Sequence, residues 1–288
     1  WGPVPALGTQ GAAVATFIAR GVAVAAGVVI LLRGGYGVEL DVRELWPDWE
    51  IQRQLVDVGY PATIDGWARS FAAVVMAALV AQFSVAAIAA YGIGVRLMSV
   101  SWTVAGAVGQ ATATGVGQNL GANTPDRASE VVWKATAATM AILFAAAGLV
   151  VAFPAAAVGV FIDDAEVIAE GVVFLRIIAP FWAFFGGVMV IQGGFRGAGV
   201  TKVALVLSLL SRWIFRLPFA LVVAFGWLYT VPGTGLTVGG LDWGVSGLWW
   251  AYAISALLSF VVAVGWFRRG TWTGGVVDSE QPAESTAQ

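Results

Sequence analysis

Residues 135–162, "ATAATMAILFAAAGLVVAFPAAAVGVFI", contain no charged side chain, and neither do 97–125 or 243–267. A helix rises 1.5 Å per residue and a bilayer's hydrocarbon core is about 30 Å thick, so about 20 apolar residues cross it. The rest of a 288-residue chain that is 59% hydrophobic and 11% charged cannot enclose such stretches, and lipid must cover them. About seven segments qualify: 8–32, 56–81, 85–118, 131–153, 167–193, 202–228 and 244–267. The expected fold is therefore an all-α integral membrane protein of about seven transmembrane helices. The third segment is too long for a straight span and has to tilt or extend past the bilayer.

The same composition narrows the chemistry. A net charge of −2 leaves no basic surface for nucleic acid. Without Cys or His, disulfides, thiol chemistry, the usual metal ligands and the usual acid–base residue near neutral pH are all missing, so neither an enzyme nor a metal site is expected. The Gly-rich stretch 115–121 lacks the Lys of a phosphate-cradling loop, which speaks against ATP as fuel. The first residues lack the basic stretch of a signal peptide.

Basic residues between spans set the orientation. Arg33, Arg43, Arg53, Arg127, Arg196, Lys202, Arg268 and Arg269 fall in one set of connections. The other set, 82–84, 154–166 and 229–243, carries only Asp163, Asp164, Glu166 and Asp242. This alternation supports the seven spans and predicts a cytoplasmic C-terminus.

The first span is echoed by the last. "GTQGAAVATFIA" at 8–19 and "GVSGLWWAYAIS" at 244–255 align at an offset of 236, which also carries Arg33-Gly34 onto Arg269-Gly270. If each closes a repeat unit, the second unit holds six helices and the first keeps only its last. The expected organisation is a leftover helix of an N-terminal lobe at 1–33, a cytoplasmic connector at 34–54, a six-helix C-terminal lobe at 55–270 and a disordered cytoplasmic tail at 271–288.

Three stretches carry a family resemblance: "LGTQGAAVATFIARG" at 7–21, "AIAAYGIGVRLMSVSWTVAGAVGQATATGVGQNLGANTPDRA" at 87–128, and "FLRIIAPFWAFFGGVMVIQGGFRGAGVTK" at 174–202. They resemble the multidrug and toxic compound extrusion (MATE) family, and within it the archaeal and DinF-type branch. The resemblance implies two six-helix lobes around a central cavity, of which this chain matches the sixth helix and the whole second lobe. It implies secondary active export of amphipathic, often cationic, drugs in exchange for inward H⁺ or Na⁺, across the plasma membrane of a prokaryote and without a cofactor. A truncated chain would be inactive alone, its partners being the lipid bilayer, the drug and a separately encoded N-terminal lobe. In the family the helix opening the second lobe often carries an acid after a "G.P" turn, as Asp65 follows Gly59-Tyr60-Pro61 here. The acid that the NorM-type branch uses for Na⁺ falls near Phe185 in this sequence, which puts a NorM-like Na⁺ site in doubt.

Chemistry in such a chain belongs to charges at membrane depth, which cost a few kcal/mol or more unless they face a cavity or a partner. Counting from the helix starts puts Asp65, Arg69, Arg96, Arg176 and Arg212 midway across, with Arg20 similar. Asp65 and Arg69 are four apart and can pair on one helix face, either as a neutralised structural pair or with Asp65 binding a cation or proton. Arg212 and Arg216 share a polar stripe with Ser208 and Ser211; Arg216 is near enough the end to snorkel, and Arg212 is not. Trp182 is a candidate platform for an aromatic drug. The substrate and ion cavity candidates are thus Asp65, Arg69, Arg96, Arg176, Trp182 and Arg212. Gln82, Gln110, Gln118 and Gln192 read as interhelical hydrogen-bond partners, and Gly106, Gly109, Gly117 and Gly121 as close-packing positions. Pro61, Pro180 and Pro218 are kinks or hinges.

Other classes stay open. A retinal-type photoreceptor needs a Lys deep in the last helix, and the only lysines are Lys134 and Lys202. A lipid-linked sugar flippase of the same superfamily and a non-transporting remnant or partner subunit are the remaining alternatives.

Overall fold

The turns of this chain are written in its capping residues. Ser84 accepts a hydrogen bond from the Ala87 N–H at 3.0 Å and opens α3 (Val85–Gly121). Pro125 and Pro154 stand in the first turns of α4 (Pro125–Ala152) and the short α5 (Pro154–Gly159), where a missing N–H is harmless. The Asp164 carboxylate accepts from the N–H groups of Glu166 and Val167, each at 3.0 Å, and starts α6 (Ala165–Ile178). Gly199, at φ +76°, turns α7 (Trp182–Gly197) into α8 (Thr201–Leu209), a backbone conformation a side chain would strain.

The computed structural model describes residues 8–33, 46, 48–230 and 237–273. Most of the expected connector and the tail from 274 lie outside them. The chain divides into two compact units, Trp1–Asp57 and Val58–Gln288. The first contains α1 (Gly8–Arg33) and the start of α2 (Trp49–Val80). The second contains the rest of α2, α3 to α8, α9 (Leu217–Ala224), two three-residue strands and α10 (Val245–Arg268).

Seven stretches are long and apolar enough to cross a membrane: Gln10–Arg33, Gly59–Val80, Val85–Gly121, Pro125–Ala152, Ala165–Gly197, Thr201–Ala224 and Val245–Arg268. The fold is all-α apart from β1 (Leu228–Thr230) and β2 (Thr237–Gly239), an antiparallel pair in which Tyr229 faces Val238. That ribbon shortens the sixth span, expected to run to 228, at Ala224. The long third span is one helix of 37 residues, about 55 Å from end to end and well beyond the hydrocarbon core. The fifth span is two helices, α6 and α7, joined by a 3-10 turn at Ala179–Phe181 around Pro180, whose ring cannot enter an uninterrupted ladder.

Gly8 at the start of α1 has φ +51°, and Gly244 just before α10 has φ +62°.

In the second unit α7 is the hub, packing against α3, α4 and α10. Its approach to α3 is set by glycines. A Cβ on Gly193 would overlap the Gly109 backbone, lying 2.9 Å from its Cα, and one on Gly197 would lie 2.8 Å from the Ala113 Cα. Seen from α3, a Cβ on Gly109 would stand 2.8 Å from the Met189 carbonyl oxygen. Close-packing membrane helices use small residues in this way. Gly109 is thus part of a tight seam, whereas Gly121, expected to be, has nothing within 4 Å. Two apolar clusters complete the core. One gathers Met76, Phe174, Leu175, Trp182, Leu248 and Trp249, and the other Val116, Val132, Ile191, Phe195, Leu207 and Phe267.

Candidate functional site

A cavity of about 540 Å³ opens within the second unit, lined from α2, α3, α7, α8, α10 and the segment between α8 and α9. This volume lies within the usual range for small-molecule sites. Its charged residues are Asp65, Arg69, Arg196, Arg212 and Arg216, and its aromatic ones Trp102, Phe185 and Tyr252.

Asp65 and Arg69 sit one turn apart on α2, where Cβ atoms four apart stack on one face. The guanidinium donates to Asp65 Oδ2 at 2.5 Å. Arg69 remains 54% exposed at its side chain, so the pair is open to the cavity. Asp65 Oδ1 is buried and has no hydrogen-bond partner, a costly state for a carboxylate oxygen.

Opposite this pair the sixth span is not a plain α-helix. Residues Leu210–Arg216 form π-helical turns, and the Leu217 N–H donates to the Arg212 carbonyl five residues back. Pro218 follows immediately. Its ring would press on the carbonyl four residues earlier in an α-helix, and the wider turn relieves that contact.

Two arginines project from these turns. Arg212 donates to the hydroxyl of Ser208 and, at 3.4 Å, to its carbonyl oxygen. Arg216 is 7% exposed; its guanidinium carbon lies 3.9 Å from the centre of the Tyr252 ring and its Nε donates to Ser255 Oγ at 3.2 Å. The phenol of Tyr252 is 2.9 Å from that of Tyr91, whose ring stacks on Trp249 at 5.8 Å. A cation in this setting is stabilised by the ring face but has no counter-charge.

Gln192 and Arg196 line the cavity from α7. Gln192 Nε2 donates to the Ala204 carbonyl at 3.2 Å, bridging α7 and α8 as expected of an intramembrane amide. Next to Gln192, Val188, Met189 and Phe185 form an apolar wall with Trp102, whose ring centre is 5.9 Å from that of Phe185.

Of the residues singled out from sequence, the cavity gathers Asp65, Arg69 and Arg212, with Ser208 and Ser211. Arg96 and Arg176 are exposed and lie outside it. Each stands about 200° from the buried position two residues before it, Gly94 and Phe174. Trp182 is also elsewhere: it opens α7 within the first apolar cluster, 5% exposed, with no partner for its Nε1. Arg20 belongs to the first unit.

Among the charged and aromatic lining, Trp102, Arg196 and Tyr252 were not singled out from sequence, and Arg216 was expected to be able to snorkel. Arg196 ends the "GGFR" run and looks like a loop residue. Arg216 does not snorkel because α10 presents Tyr252 and Ser255 to it, a pairing across 39 residues with no local signal. Tyr252 is hidden for the same reason.

Seven membrane-length helices among the described residues define a polytopic membrane protein, and its second unit contains a charged, aromatic-lined cavity. The MatE family model matches residues 61–222, and the chain belongs to that family, whose members are transporters rather than enzymes. The chain is 26% identical over 222 residues to the probable multidrug resistance protein NorM of Thermotoga maritima, covering 76% of this chain and 47% of that one. It is 25% identical over 266 residues to the probable multidrug resistance protein YpnP of Bacillus subtilis, covering 92% and 56%. Among solved structures, the Vibrio cholerae MATE transporter VcmN in its bent form superposes with a TM-score of 0.72 at 22% identity, over 93% of this chain and 56% of that one. The chain spans about half the length of the curated relatives it matches.

Proposed function

We propose that this chain supplies one six-helix lobe, and the helix before it, to a secondary active multidrug exporter that exchanges an amphipathic solute for inward H⁺ or Na⁺. The observation that carries the reading is Asp65. Among the described residues it is the sole carboxylate lining the cavity of the second unit, and it holds one oxygen on Arg69 while the other is buried without a donor. A proton or cation held at that oxygen would weaken the hold on Arg69.

The names of the relatives support a drug exporter, and their greater length supports the need for a second lobe. Phe185 in the cavity wall, where the NorM type would carry an acid, supports the DinF-type branch. The basic connections keep the C-terminus cytoplasmic in a prokaryotic plasma membrane. A lipid-linked sugar flippase is the second reading, favoured by the arginines of the cavity. In vesicles the chain alone should show no pH- or Na⁺-driven dye efflux, and joined to the missing lobe it should show efflux that Asp65→Asn abolishes. Efflux by the chain alone would contradict the two-lobe requirement, and coupled efflux indifferent to Asp65→Asn would remove Asp65 from the mechanism.

A further inference from the structure

The cavity is charged the wrong way for a simple cation site. Four arginines, Arg69, Arg196, Arg212 and Arg216, share it with one carboxylate, Asp65. Asp65 is already engaged by Arg69. Among the described residues no acidic side chain forms an ion pair with Arg196, Arg212 or Arg216. The partners of Arg212 are the hydroxyl and carbonyl of Ser208, and those of Arg216 the hydroxyl of Ser255 and the ring of Tyr252. These groups are neutral. They occupy some of the five N–H donors of each guanidinium and leave its charge uncompensated. Positive charge at membrane depth without a counter-charge is expensive, and a bound anion removes the expense.

The rest of the lining gives the anion its shape. A guanidinium fork matches the paired oxygens of phosphate or carboxylate and is the usual recogniser of both. Beside the arginines stands the apolar wall of Trp102, Phe185, Val188 and Met189. The cavity therefore offers guanidinium groups to an oxyanion and an apolar wall to a hydrophobic body.

We propose that this cavity binds an anionic amphiphile, its oxyanion head on Arg69, Arg196 and Arg212 and its apolar body against Trp102 and Phe185. This names a substrate class for the exporter proposed above, and rests on that reading for transport though not for binding. It also gives Asp65 a second role. As the only negative charge among the described lining residues it opposes the anion, so removing that charge should tighten binding.

The test uses the purified chain in a neutral detergent, titrated with 1-naphthyl phosphate, with the cation (1-naphthylmethyl)trimethylammonium and with inorganic phosphate, read by calorimetry. Naphthyl phosphate should bind about ten-fold or more tightly than either of the others, the scale of one charge-assisted hydrogen bond. Arg212→Gln should weaken it by a similar factor, whereas Asp65→Asn should tighten it. A variant that merely damages the fold weakens binding in both cases, so the opposite signs carry the result. Repeating the titration in phosphatidylcholine nanodiscs with and without phosphatidylglycerol separates two sources of the same chemistry. Competition by phosphatidylglycerol supports a lipid head as the natural anion, and its absence a soluble amphiphile. Tighter binding of the cation, weaker phosphate binding in Asp65→Asn, or inorganic phosphate matching naphthyl phosphate would each overturn the proposal. Preference for the cation would leave the exporter reading standing. Anion binding without efflux from the two-lobe protein would sink the exporter and leave the anion site.

Discussion

Substituting Gly193 by Ala tests the seam on which the cavity wall hangs. The added methyl would overlap the Gly109 backbone, 2.9 Å from its Cα, where ordinary carbon contacts begin at about 3.5 Å. The obstacle is backbone on a neighbouring helix, so no rotamer change relieves it, and α3 and α7 must move apart by roughly half an ångström or more. Overpacking of this kind costs about 1–3 kcal/mol, and the better helix propensity of Ala returns about 1. Because the obstacle is backbone, the cost falls in the upper part of that range, about 2–3 kcal/mol, and the expected net loss is about 1–2 kcal/mol.

Two other glycines serve as references. A Cβ on Gly148 meets nothing within 4 Å, so Gly148→Ala should be neutral or stabilise by up to about 1 kcal/mol. On Gly187 the nearest obstacle is the Phe260 ring at 2.6 Å, a side chain that can swing, and the loss should fall between the two. The assay is unfolding of the purified chain in detergent, followed by tryptophan fluorescence. The reasoning also demands weaker ligand binding in Gly193→Ala, because α7 carries Phe185, Met189, Gln192 and Arg196 into the cavity. A Gly193→Ala chain as stable as wild type, or less affected than Gly187→Ala, would refute the tight seam.

Asp65→Asn and Arg69→Leu, made singly and together in the two-lobe protein, should each lower expression or transport and combine less than additively, with a coupling of about 1 kcal/mol in stability; two silent single changes would mean the pair does neither job. Arg216→Met should keep or raise stability, since an apolar chain of similar length replaces a buried unpaired charge, while Tyr252→Leu, which leaves that charge without its ring, should lower it by about 2 kcal/mol; unfolding midpoints in the opposite order would count against the cation–π account.

The membrane-length helices and the Asp65–Arg69 pair were legible in the sequence because both follow from spacing along a single helix. A run of twenty apolar residues needs no partner to declare itself, and positions four apart meet whatever surrounds them. That Arg96 and Arg176 lie outside this cavity has a related reason. Depth is a one-dimensional quantity that counting supplies, whereas facing depends on which neighbours bury the other side of the helix. On α3 the buried stripe through Gly94, Met98, Ala105 and Gly109 settles that question, and Arg96 lies off it. Gly193 and Gly197 gave no sign of being the seam, since what makes them tight is the backbone of α3 some eighty residues earlier.

Pro218 shows how a local feature can still organise the site. Along an ordinary helix each step of four residues drifts by about 40°, so Ser208, Arg212 and Arg216 would fan progressively away from one line. The wider π-helical turns over Leu210–Arg216 rotate less per residue and counter that drift, and all three residues line the cavity. The turns widen directly before Pro218, where an α-helical carbonyl would meet the proline ring. A residue that reads from sequence as a hinge is therefore also a placement device. By changing the winding one turn earlier, it turns Arg216 toward Tyr252 and keeps Arg212 beside it, which concentrates uncompensated positive charge on one wall of the cavity. That concentration, more than any single arginine, is what the anionic-amphiphile proposal rests upon.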